Sequence, residues 1–451
     1  MRSRLRNGWT NITDSFWFVP SVLVALALLV SSVLIEIDAT LIEHQHPLRP
    51  WLFGGTADAA RSTLSTIAGS LITVVSIAFS LTMLALQQAS SQFSPRVLRR
   101  FTADRANQVV LGAYITTFTY ALLVLRQVRS ADESGSAFVP SLSVTFAIGL
   151  ALVCMALLIY FIHHISQALQ VDVVAHQIHA EMVVRLDALY PSMLGHATED
   201  ERPAERVVEQ LRHADDCWVV RSTEAGFVRS IDEDSLLVAP LQTVRWMWIR
   251  PRIGAYVSYN SVLAELSGGG ADKEPLTEAI RQAFVVDATR TLDQDLLFGM
   301  RQLADIALKA LSPGINDPTT AEHALRQLGD VLGRLGQRQF PATVRTAPED
   351  STRLLLSRPT WDDFVAAALD QIRREARDDL HVTATLLEVL DALAQQIPSW
   401  QRTQAVQRQV AAVRRALEQP SWSVDETHEL LQTIERIEHT LRERLPAPAQ
   451  R

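Results

Sequence analysis

One run of the chain carries side chains able to take the place of water around an ion. No charged residue occurs between Arg61 and Arg96. Within that interval Ser62, Thr66, Gly69, Thr73, Ser76, Ser80 and Gln87 fall on one helical stripe at about 100° per residue. Hydroxyls on a wet face replace part of an ion's hydration without imposing a fixed charge, which is the chemistry of a weakly selective pore. Small residues at the same spacing also let helix backbones approach closely and hydrogen-bond across an interface. The pattern therefore defines a buried or wet face and leaves pore lining and helix packing both open.

Two further groups have types and spacing worth weighing. In the run Ser312–Pro318, Asn316, Asp317 and nearby Thr320 can hold an ion or a small ligand. The same run reads as a rigid corner between helices, with Gly314 taking a left-handed turn, Asp317 capping the next helix and Pro318 at its first position. His176 and His179 lie one turn apart, with Asp172 a turn earlier, on what reads as a helix. That face offers weak zinc candidates without a fourth ligand, so no metal site is assigned. No Ser-His-Asp, Cys-His, paired-carboxylate or nucleotide motif is legible. Ser267–Gly270 lacks the lysine and helix context of a phosphate loop and reads as a linker. The chain is thus not expected to be an enzyme, no catalytic residue is assigned and no cofactor is expected.

The elements around these residues are those of a membrane protein joined to a soluble part. Mean hydropathy is only slightly positive, at +0.09. Residues 1–162 carry 11 Arg or Lys against 8 Asp or Glu, while the whole chain has a net charge of −8. An acidic soluble half argues against nucleic acid, whose phosphates need a basic face. Two cysteines, Cys154 and Cys217, supply no disulfide framework, in keeping with a cytosolic soluble half. Four apolar runs, at about 16–37, 62–88, 109–125 and 138–162, are long enough to span a bilayer. The first follows Arg2, Arg4 and Arg6; it is too long for a signal core and lacks a small-x-small cleavage site. After the striped helix, Ser94-Pro95 starts a short amphipathic helix lying on the membrane surface, with Arg96, Arg99 and Arg100 off its apolar face. Arg is concentrated at the N-terminus and in 89–107, and acids balance it in 38–61 and 126–137, so both termini are expected in the cytosol. Glu36 and Asp38 stand at an outer span end and His163-His164 at an inner one, and no ionisable group sits mid-span. That disfavours proton-coupled pumps and voltage sensors and leaves a passive pore.

Past the fourth span the helix is expected to run on to Tyr190, where Pro191 stops it, and residues 166–215 form a helical connector. The period then changes. Cys217–Ser222, Gly226–Ile231, Val244–Ile249 and Ala255–Tyr259 alternate like strands, predicting a small β-barrel or sandwich over 216–266. Trp246 and Trp248 share one face there and read as core or a subunit contact. Residues 276–445 read as a helical domain, with breaks at Pro398 and Pro420. The fold class is mainly α, with four membrane helices over 1–165 and a cytosolic α+β domain.

Several motifs carry a resemblance. They are Ile77–Ser80, Gln92–Arg96, Phe161–Ile165, Gly226–Val228 and, most specific, Phe298-Gly299 through Arg301–Ala307 to Ser312–Pro318. In these the chain resembles the bacterial predicted inner-membrane proteins catalogued as domain of unknown function 2254, from roughly Phe16 to Leu335. The resemblance implies an inner-membrane location and a cytoplasmic domain, and brings no catalytic residues. The family's glycine-acid-aromatic turn stands here as Gly254-Ala255-Tyr256, without the acid. The leading expectation is a homo-oligomeric, channel-like protein gated by its cytosolic domain. The alternative is a membrane-anchored sensor or scaffold. The lipid bilayer is the expected partner, beside further copies of the chain, with any ion or ligand unnamed.

Overall fold

The computed structural model describes residues 17–43, 52–92, 104–130, 138–168, 170–190, 209, 217–238, 244–268, 273–346, 353–417 and 423–444. They form two compact units that divide between Gln170 and Val171.

The first unit contains four helices long and apolar enough to cross a membrane: α1 (Phe18–Glu43), α2 (Ala57–Gln92), α3 (Arg105–Leu125) and α4 (Ser141–Ala168). The third is the hub. Its spanning window is half buried against about a fifth for the others, and it packs on α1, α2 and α4. Gly112 permits part of this, since a Cβ there would lie 2.8 Å from Leu23 and 3.2 Å from the Pro20 backbone. Polar groups on the buried face of α3 are spent internally. Tyr114 Oη donates to the Cys154 carbonyl at 3.2 Å, Tyr120 Oη to the Ser143 carbonyl at 3.2 Å, and Thr117 Oγ1 lies 3.3 Å from Cys154 Sγ. Hydrocarbon offers no water to these groups, so such pairing is what lets them sit inside a span.

At one end of this bundle the buried Asp38 carboxylate caps α4, accepting from the Leu142 and Ser143 amides at 2.8 Å each and from Ser143 Oγ at 2.6 Å. Arg61 Nη2 donates to the Val128 carbonyl at 3.2 Å. Elsewhere in the unit Asp104 caps α3 through the Ala106 amide at 2.9 Å and meets His164 Nε2 at 2.5 Å. The fourth span does not continue to Tyr190 as one helix. The Gln170 amide turns back to the Gln167 carbonyl at 3.0 Å, a three-residue step that ends the α ladder, and α5 (Val171–Leu189) begins afresh. Arg96, Arg99 and Arg100 of the expected surface helix lie outside the described residues, as do 201–216 apart from Glu209.

In the second unit the strands are β1 (Cys217–Arg221), β2 (Gly226–Ile231), β3 (Val244–Ile249), β4 (Tyr256–Val257), β5 (Val262–Gly268), β6 (Phe284–Asp287), β7 (Val344–Thr346) and β8 (Arg353–Leu356). They form two open sheets, ordered β1-β5-β3-β8-β7 and β4-β2-β6. No closed barrel results, and the strands are not confined to 216–266. The tight parallel pairing of β8 with β3, Trp246 opposite Arg353, draws in residues a hundred positions away. Ser267 and Gly268, expected in a linker, end strand β5. Both sheets and α7 (Glu274–Ala283) share one core that includes Val228, Met247, Ile249, Leu266, Ile280 and Phe284. Trp246 and Trp248 are buried against Leu355, and α6 (Glu233–Val238) closes one connection.

The remainder is helical: α8 (Leu296–Ala310), α9 (Pro318–Gly336), α10 (Trp361–Val365), a π-helical segment at Ala366–Asp370, α11 (Gln371–Glu375), α12 (Leu380–Gln396), α13 (Trp400–Leu417) and α14 (Val424–Glu443). Proline at 398 stands between α12 and α13, as its missing N–H requires. Helices α9 and α12 meet closely because Gly329 and Gly336 present no side chain. A Cβ at these positions would lie 2.7 Å from Val389 and 2.8 Å from Ile397.

Candidate functional site

Helix α2 holds the candidate site. At 36 residues it is about 54 Å long, well beyond the roughly 30 Å of hydrocarbon, so it is long enough both to span and to project. Its two faces separate cleanly. Leu64, Ile67, Leu71, Ala78 and Ala85 are buried in the bundle core. Ser62, Thr66, Gly69, Thr73, Ser76, Ser80 and Gln87 are all exposed, on the side turned away from the other described helices of the first unit. Ile72, Ile77, Phe79 and Leu84 flank them and are also exposed. Among the described residues of the first unit, no other helix covers the stripe.

The hydroxyls are not bare either. Thr66 Oγ1 donates to the Ser62 carbonyl at 2.8 Å, Thr73 to Gly69 at 3.2 Å, Ser76 to Ile72 at 2.9 Å and Ser80 to Ser76 at 2.8 Å. Back-bonding of this kind occupies each hydroxyl proton and leaves the oxygen lone pairs facing outward. The outer face of α2 thus presents acceptors, a glycine and small volumes in alternating steps of four and three residues, which keeps them on one narrow line along the helix.

The other candidates resolve differently. Asp317 caps α9, accepting from the Thr320 amide at 3.1 Å and from Thr320 Oγ1 at 2.6 Å, with Pro318 following. The left-handed residue of this corner is Asn316, at φ 49°, and not Gly314. Asparagine tolerates that region through its short polar side chain, so the corner has no need of glycine. A Cβ at Gly314 would meet nothing within 4 Å. Replacing Gly314 by valine is accordingly expected to leave the melting temperature nearly unchanged, whereas Asn316→Val, forced to positive φ, should cost about 1–2 kcal/mol. Asp317→Ala should cost about 1 kcal/mol as a lost cap. Thermal unfolding of the three variants checks the order.

Asp172, His176 and His179 do not converge. His179 Nε2 meets Asp330 Oδ2 at 2.7 Å and Asp172 Oδ1 meets His323 Nδ1 at 3.3 Å, both partners on α9. The rings of His176 and His179 stack at 6.2 Å. Burial works against the Asp330 carboxylate, yet hydrogen bonds from Arg334 and His179 outweigh it and hold its pKa below the usual carboxylate range. These are ties within the second unit. Among the described residues no three His, Cys, Asp or Glu side chains gather as a metal site.

Three apolar helices packed around a fourth, α3, and joined in sequence to a sheet-containing unit define a polytopic membrane protein. The chain belongs to the family described as Predicted membrane protein (DUF2254), which matches residues 13–392. An uncharacterized protein of Mycobacterium bovis is 33% identical over 413 residues, covering 90% of this chain and 76% of its own length. An uncharacterized protein of Mycobacterium tuberculosis matches to the same extent. No solved structure matches.

Proposed function

We propose that the chain is a homo-oligomeric, channel-like protein of the bacterial inner membrane, with both termini in the cytosol and its second unit acting as the gate. One observation carries this reading: the small and hydroxyl residues of α2 are exposed, away from the other described helices of the first unit. A face of hydroxyls and glycine gains little from lipid tails but packs closely on a second copy or faces water between copies. With no ionisable side chain mid-span, such a path would discriminate weakly among ions. The back-bonded hydroxyls favour a second reading, a sensor or scaffold in which subunits meet along the stripe without a conduit.

Single cysteines separate the two. In a Cys154→Ala, Cys217→Ser background, cysteines at Thr73 and Ser76 are expected to react with a membrane-impermeant thiol reagent, and those at Leu71 and Ala78 are not. Reconstituted vesicles should conduct, and modification at Ser76 should lower the conductance at least severalfold. Disulfide cross-linking between copies at Gly69 with no conductance and no reagent access sinks the channel and leaves the scaffold. A monomer in detergent with no cross-linking sinks both.

A further inference from the structure

The second unit contains a cavity of about 430 Å³ whose walls are cationic, in a chain whose net charge is −8. Arg252, Gly254, Arg290, Arg301, Asp363 and Arg374 contribute to its lining, from the turn before β4, the stretch before α8, α8 itself and α10–α11. The charges are unevenly satisfied. Arg290 is committed to Asp295, donating from Nε at 2.8 Å and Nη2 at 2.6 Å. Arg252 Nη1 stands 3.3 Å from Asp363. Asp370, the other carboxylate in the wall, accepts from Gln409 Nε2 at 2.7 Å.

Arg301 and Arg374 differ from these. Arg301 donates to a neutral partner, Gln371 Oε1, at 2.7 Å, and neither guanidinium forms an ion pair with a described residue. Four guanidiniums thus stand against Asp363 and Asp370, and with Asp295 counted behind Arg290 a surplus of one positive charge remains. Burial lowers the pKa of the adjacent Arg373, and against the pull of Asp370 the nearby Arg374 and Arg415 lower it further, so positive charge is crowded on this side. Ala366 and Ala367 of the π-helical segment form part of the wall, and their small side chains keep the space open.

We propose that this cavity binds a phosphate-bearing small molecule, held by the forked donors of Arg301 and Arg374. Guanidinium forks match the oxygens of phosphate in paired hydrogen bonds, and the volume lies within the range of small-molecule sites, larger than a lone phosphate needs. The phosphate can belong to a soluble metabolite or to a phospholipid headgroup. The proposal is independent of any channel activity.

The test uses the full chain in dodecyl maltoside at fixed ionic strength, with inorganic pyrophosphate as probe and melting temperature as readout. Wild type is expected to show a saturable rise with a midpoint below about 1 mM, the range of small metabolite sites. Arg301→Gln with Arg374→Gln should raise that midpoint at least tenfold. Arg377→Gln, at an exposed side chain paired with Asp378 and outside the cavity, should keep it. Should the double variant fail to fold, Arg374→Gln alone, at an exposed position, must still weaken binding severalfold. Displacement by AMP at lower concentration than by dihexanoyl phosphatidic acid assigns a soluble ligand, and the reverse order assigns a headgroup. No saturable shift, or the same shift in the Arg374→Gln variant, overturns the site.

Discussion

Replacing Gly254 by alanine is expected to destabilise the second unit by at least about 4 kcal/mol, through three effects at one atom. The first is backbone strain. Gly254 sits at φ +79°, where a Cβ costs about 1–2 kcal/mol. The second is collision. An added Cβ would press into the Asp295 carboxylate and lie 2.7 Å from Arg290 Nη2. The third is what that collision displaces. Asp295 caps α8 through the Phe298 amide at 3.1 Å, a contact worth about 1 kcal/mol, and it holds Arg290 in a pair only 4% exposed on the acid side. Breaking a buried pair costs about 3–5 kcal/mol, because a charge is left uncompensated. These terms overlap, which is why the expected total is below their sum. Burial raises the pKa of Asp295 and the Arg290 contacts lower it again only in part. The folded state therefore binds a proton more readily than the unfolded chain, so the ionised Asp295 costs the wild-type fold stability at neutral pH, and that cost fades as the pH falls through the raised folded value toward the unfolded carboxylate value, about 3.9. Thermal unfolding of Gly254→Ala and Gly254→Ala/Asp295→Ser decides the mechanism. The double variant should recover part of the loss if the collision dominates. A single variant that melts with wild type would refute the account.

How much of this was legible in the sequence depends on how local the cause is. The spans were, because an uncharged run of twenty or so residues has one physical meaning in water. The cap at Asp317 was, since Asp-Pro before a periodic run acts within four residues. The left-handed site was misplaced by two residues because glycine and asparagine both tolerate it and only the chain's path chooses. Strands β7 and β8 are three and four residues long; β8 joins the sheet through a parallel neighbour a hundred positions away and β7 pairs antiparallel with β8, which no local period records. The stripe on α2 was legible as a face, but periodicity gives the face and not its direction. That it points outward follows from which side of α2 meets α3. The link between Gly254 and Asp295 had no local signal beyond the glycine itself.

Removal of the Asp38 side chain is expected to be the most damaging single change in the membrane unit. From sequence it is only an acid near the end of a span. In the fold it is 2% exposed and reaches 104 residues ahead to cap α4. The first amides of a helix have no partner within the helix, and near hydrocarbon no water replaces one. Asp38 supplies both at once, accepting from the Leu142 and Ser143 amides at 2.8 Å and from Ser143 Oγ at 2.6 Å, and its charge opposes the positive end of the helix dipole. Hydrogen bonds to a charged group contribute about 1.5–3 kcal/mol each, so Asp38→Ala should cost about 3–5 kcal/mol once partial rearrangement is allowed. Asp38→Asn keeps one accepting oxygen and should fall between. Ser143→Ala removes only the hydroxyl bond and leaves both amides capped, so it should cost about 1–2 kcal/mol, with the backbone carbonyl still receiving Tyr120 Oη. The order is read from the temperature at which the detergent-solubilised protein loses its monodisperse chromatographic peak. Equal losses for Asp38→Ala and Ser143→Ala would mean that the hydroxyl, not the helix cap, is what the carboxylate is there to hold.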